Sequence, residues 1–228
     1  MTAAAVSGFS TNQAMRVRVR LLSLFLPLAA ALLVVGEALT PKGLDHPISA
    51  SRAIKELPIA EAHSGRLHAS NLLVIFGLGA LGVSFVAIAT LVEERGSTIA
   101  TIAALVGGLA GFCGALANVL VGYDLAAAAV AHTTHDAAIQ VLVAANRGWT
   151  FDLVFVCYIG GLVFATLLTA VALWRSGAAP RWLTMLFVLG VALGAAAPAG
   201  IVSVPLQLPV SVALIALSIR IWNTAGSR

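Results

Sequence analysis

The sequence predicts an all-α fold: a polytopic membrane bundle of six transmembrane helices, both termini cytoplasmic, plus an outer surface helix near residues 124–145. Three observations predict it. Of the 228 residues 60% are hydrophobic and only 10% charged, with a mean hydropathy of +1.01, whereas a water-facing domain carries about 25% charged residues. Six apolar runs, 21–39, 71–92, 99–121, 151–174, 182–197 and 201–221, approach the roughly 20 residues that cross a bilayer as a helix. No run alternates as a membrane barrel strand would, and in lipid the helix is then the remaining way to satisfy the backbone. The composition also excludes a disordered chain, and two cysteines exclude a disulfide scaffold.

The first run follows Arg16, Arg18 and Arg20 and ends near Glu37. A signal peptide begins in the same way, but this apolar stretch exceeds a usual signal core, so an uncleaved helix is expected. Runs two and three carry closely spaced glycines, Gly77, Gly79 and Gly82, then Gly107, Gly108, Gly111 and Gly114. Run five adds Gly190 and Gly194. Small residues at such spacing let membrane helices approach closely. Cys113 and Cys157, inside runs three and four, read as packing thiols. Runs five and six are separated only by Pro198-Ala199-Gly200 and should pair as a hairpin. The organisation is thus a cytoplasmic segment 1–20, one transmembrane domain 21–222 and a tail 223–228.

Charge sets the expected orientation, because short cytoplasmic loops favour Lys and Arg. With the N-terminus inside, the inner flanks hold Arg16, Arg18, Arg20, Arg95, Arg175, Arg181, Arg220 and Arg228 against Glu93 and Glu94, a net of +6. The outer side holds five basic and seven acidic residues, a net of −2, and the two together recover the chain's +4. The basic pI near 9.7 therefore reports topology, and no nucleic-acid partner is indicated. The expected partners are the lipid bilayer and a membrane-protein subunit, and the expected location is the cell inner (plasma) membrane.

The two long outer loops are 40–70 and 122–148. The first contains Pro41, Pro47 and Pro58, with a short helix expected over 49–57; the second reads as one helix over 124–145. All five histidines fall on this outer side. Polar residues inside the runs also favour their outer halves: Glu37, Asn71, Asn118, Asp152 and Gln207. Such groups are costly in lipid and face the bundle interior or water. They predict a ligand-binding polar recess, open outward and roofed by the loops.

The sharpest local pattern is His132-Thr133-Thr134-His135-Asp136. On a continuous helix these two imidazoles and the carboxylate share one face, as ligands of a divalent transition metal would. Glu61, His63, His68 or Asp152 would complete the set across the loops, although Gly65 is expected to interrupt any helix near the first three. The spacing is not that of H-E-x-x-H metalloproteases.

The turn Trp174-Arg175-Ser176-Gly177-Ala178-Ala179-Pro180-Arg181-Trp182, with the six-run layout, resembles a group of bacterial, largely actinobacterial, six-helix membrane proteins of uncharacterised activity. The resemblance implies a bacterial inner-membrane location and carries no functional residue. Three functions remain open. The first is binding of a small ligand or metal ion in the recess, as an accessory or transport-related component. The second is a membrane-embedded metal-dependent enzyme using His132, His135 and Asp136. The third is a structural subunit whose outer loops dock another protein.

Overall fold

The computed structural model describes residues 3–44, 49–130, 134–145, 148–197 and 200–227, and every regular element among them is helical. Helix α1 (Ala3–Ser23) runs into α2 (Phe25–Leu39) with a break at Leu24. Helix α3 (Ala50–Ala62) is followed by the long α4 (Ser64–Ala89) and α5 (Ser97–Asn118). A π-helical turn, Val119–Tyr123, leads into α6 (Asp124–Val130), and α7 is His135–Ala145. Helices α8 (Trp149–Ser176) and α9 (Arg181–Ala196), a 3₁₀ turn (Ile201–Ser203) and α10 (Val204–Ser227) complete the chain.

Five stretches are long and apolar enough to cross a membrane: Gln13–Leu39, Ser64–Ala89, Ser97–Ala129, Trp149–Ser176 and Ile201–Gly226. The remaining run, 182–197, forms α9, apolar but only 16 residues long. That is about 24 Å of helix against a hydrocarbon core of about 30 Å. Phe76, Leu105, Phe112 and Val156 project outward, each more than 60% exposed, an apolar belt suited to hydrocarbon and not to water.

Helices α2, α4, α5, α8, α9 and α10 pack in that order around a ring, and α10 returns to α2. The two chain ends lie at the same end of the ring. There the Arg20 guanidinium sits over the Trp222 ring at 5.1 Å and Arg181 over Trp174 at 5.4 Å. Arg220 Nε–H donates to the Ala178 carbonyl in the α8–α9 turn. Gly177 ends α8 in the left-handed region (φ 66°), which is cheap for a residue lacking Cβ. This is the termini end; the opposite, loop end carries α3, α6 and α7.

Pro27 has no N–H to offer the Ser23 carbonyl one turn back. That carbonyl instead accepts a hydrogen bond from Ser218 Oγ of α10 (2.8 Å), both residues being buried. Close backbone contact does the rest. A Cβ at Gly111 would lie 2.6 Å from the Gly82 Cα, and one at Gly190 would run into the backbone nitrogen of Val210. These glycines set the α4–α5 and α9–α10 distances by van der Waals contact. Cys113 and Cys157, read separately in the sequence, lie side by side between α5 and α8 as free thiols.

Several expectations are corrected. The single helix over 124–145 is two: Thr134 is not helical, and its carbonyl accepts the Ala138 N–H (3.1 Å) that starts α7. Consecutive Thr residues favour such a break, being β-branched and able to bond nearby backbone. The helix expected to stop at 57 passes Pro58 to Ala62, because Pro58 lies on the exposed face where the carbonyl left open meets solvent. Gly65 interrupts nothing, lying in the first turn of α4. Residues 223–227 continue α10 instead of forming a tail, and 3–20 belong to α1.

Helices α3, α6 and α7 form a cap with its own core, in which Leu57, Leu125 and Leu142 are fully buried against Leu67 of α4 and Phe151 of α8.

Gly111→Ala should destabilise the protein by about 1–3 kcal/mol, because the backbone it meets cannot move aside. Gly108→Ala, with open space around it, should be neutral or gain up to about 1 kcal/mol of helix propensity. Thermal unfolding of the two variants in one mild detergent checks this.

Candidate functional site

The ring is not filled along its whole length. In its loop-end half it encloses a cavity of about 260 Å³ bordered by α2, α4, α8, α9 and α10 and by Asn118 at the end of α5. The walls are mainly apolar, with Leu33, Leu78, Phe155 and Ile159 among the lining residues. Beneath it, towards the termini end, Phe85 and Phe187 pack edge to face (centroids 6.0 Å apart, planes at 66°) and both are buried. Mainly apolar walls carrying a few converging polar groups are the usual form of a small-molecule site.

Three of the five polar residues singled out in the sequence line this cavity: Glu37, Asn118 and Gln207. Glu37 Oε2 accepts hydrogen bonds from the Gly200 backbone N–H (3.0 Å) and from Ser203 Oγ (3.4 Å). The carboxylate thereby ties the end of α2 to the start of the last helix, across 163 residues of chain. Asn118 Nδ2 donates to the Gly114 carbonyl one turn back (3.0 Å), which leaves its Oδ1 and a second N–H for a ligand. Gln207 reaches the cavity from the second turn of α10.

The other two lie elsewhere. Asn71 is buried against Gly122 of the π-helical turn, where a Cβ on that glycine would meet Asn71 Oδ1 at 2.5 Å. Its Nδ2 has no hydrogen-bond partner among the described residues. Asp152 is exposed in the first turn of α8, where a carboxylate favours the positive end of the helix dipole.

The metal candidates are dispersed. His132 lies outside the described residues, and the break at Thr134 removes the continuous helix on which it would share a face with His135 and Asp136. Both of the latter are exposed at the start of α7. Glu61, at the end of α3, does meet His135, with Oε1 3.7 Å from Nδ1. His63 is the hinge between α3 and α4, and His68 is half-buried in the first two turns of α4. Among the described residues no three His, Cys, Asp or Glu side chains form a group able to hold a metal ion.

Two residues escaped the reading of the sequence. Tyr158 lines the cavity and covers Gly114; a lone phenol within an apolar run was the available signal. Glu56 is 2% exposed within the cap. Its spacing from Ala53 and Ala60, three and four residues away, already placed it on the inward face of α3.

Glu37→Leu should cost about 1.5–3 kcal/mol, since it strips a charged acceptor from the Gly200 N–H. Glu37→Gln, which keeps an acceptor oxygen, should retain most of the stability. Unfolding midpoints of the two variants separate these outcomes.

Comparison with known protein families, with characterised proteins and with solved structures finds no match to this chain.

Proposed function

We propose that the chain is a multi-pass protein of a bacterial inner membrane, crossing it six times with both termini in the cytoplasm. In this reading it holds a small ligand in the loop-end cavity as an accessory or transport-related component. The arginines at the termini end support this orientation under the positive-inside rule. The 16-residue α9 completes a sixth crossing by local thinning of the bilayer, at a modest cost for the mismatch. The observation that carries the ligand reading is that Glu37, Asn118 and Gln207, from three different helices, line one mainly apolar cavity.

Wild-type protein released from a mild detergent should show a small-molecule adduct by native mass spectrometry. Leu78→Trp, which fills the cavity, should lose that adduct while keeping its unfolding midpoint. A wild type that carries nothing, in any extract, argues against the reading. In a Cys113→Ser/Cys157→Ser background, Ser51→Cys should react with an impermeant maleimide in intact cells, and Ser97→Cys only after permeabilisation. The opposite pattern inverts the orientation.

The approach of Glu61 to His135 favours a second reading, in which they are two ligands of a divalent transition metal serving an enzyme that also uses His132 and Asp136. On the cavity reading, wild type and a Glu61→Ala/His135→Ala variant should carry equal and negligible metal. Stoichiometric metal in the wild type alone would reverse the ranking.

A further inference from the structure

The wall of the cavity is closed at one end and parted at the other. Along α8 the inward residues Leu173, Ala165 and Leu162 are buried, whereas one turn nearer the loop end Ile159 is half-exposed and Phe155 is 37% exposed. Helix α9 repeats the gradient: Phe187 and Val191 are buried, Gly194 is half-buried and Ala195 exposed. Phe155, Ile159, Gly194 and Ala195 all line the cavity. Helices α8 and α9 are therefore joined near their shared turn and separate towards the loop end, leaving a side cleft. Its rims are apolar, with Val156 on α8 more than half exposed and Ala195 on α9 exposed, so the cleft faces hydrocarbon.

The polar end of the cavity is rich in acceptors. Glu37 brings a carboxylate whose Oε2 is already fixed by Gly200 and Ser203. Asn118 uses one amide hydrogen on Gly114, and its Oδ1 is a second acceptor. No Lys, Arg or His is among the lining residues. Such a site suits a head that donates hydrogen bonds and repels a phosphate or carboxylate.

We infer that the α8–α9 cleft is a lateral doorway, and that the cavity takes an amphiphile dissolved in the bilayer, with an amine or hydroxyl head and an alkyl chain. The head sits among Glu37, Asn118 and Gln207, and the chain leaves past Phe155 and Ala195 into the lipid. This rests on the reading of the cavity as a ligand site.

The test uses the full chain in phosphatidylcholine nanodiscs, with occupancy by dodecylamine, dodecanol and dodecyl phosphate read by native mass spectrometry. The amine and the alcohol should bind at one per chain, and the phosphate at least about tenfold more weakly. Ala195→Trp should weaken dodecylamine by about tenfold, and Leu189→Trp, on the opposite face of α9, should not. Gln207→Leu should weaken it without changing the unfolding midpoint. Phosphate binding as tight as amine binding overturns the head chemistry, and equal effects of the two Trp variants overturn the doorway. If the wild type keeps a native adduct that Leu78→Trp loses, yet takes none of the three probes, the amphiphile class fails and the cavity reading stands. An empty wild type under every condition removes both.

Discussion

The carboxylate of Glu37 holding the Gly200 N–H is the contact on which the loop end of this molecule depends. A helix ring inside hydrocarbon has no solvent to satisfy a loose end, so each exposed backbone group needs a partner from the chain itself. Glu37 provides one to the turn before α10 and so closes the ring between its first and last members. At the termini end Ser218 does the same for the carbonyl that Pro27 leaves open. Two polar ties, one near each end, join α2 and its approach to α10 although they are distant in sequence.

Between these ties the packing is uneven, and the cavity follows from that. Gly190 lets α9 lie directly on the backbone of α10 at Val210, and the helix is too short to extend along the whole of α8. Phe85 and Phe187 fill the space where α9 still meets α8; beyond them Phe155 and Tyr158 line the cavity without filling it. The glycine that tightens one helix pair thus accompanies the opening of its neighbour. The cap settles on α4, the π-helical turn and α8.

How far the site was legible depends on what kind of information each residue carried. Glu37, Asn118 and Gln207 stood out because a polar group in an apolar run needs a reason, and the reason is a shared cavity. Asn71 and Asp152, nearer the ends of their runs, gave a similar signal, yet one packs on a π-helical turn and the other faces solvent. Depth along a helix can be read from a sequence; direction around its axis could not be read here. The His132–Asp136 pattern depends on something more local. Its shared face presupposed a continuous helix, and the non-helical Thr134 breaks it.

What the sequence by itself determined is the class of solvent and the class of structure. Apolar runs of near-membrane length demand helices, and the spread of arginines gives those helices an expected direction. Only the tertiary structure decided which faces meet, where α8 and α9 part, and that Cys113 and Cys157 are neighbours. The physical reason lies in the bilayer: a Leu facing lipid and a Leu facing another helix are almost equally satisfied. Hydrophobic periodicity, which in water marks the buried face of a helix, therefore carries little of that information here.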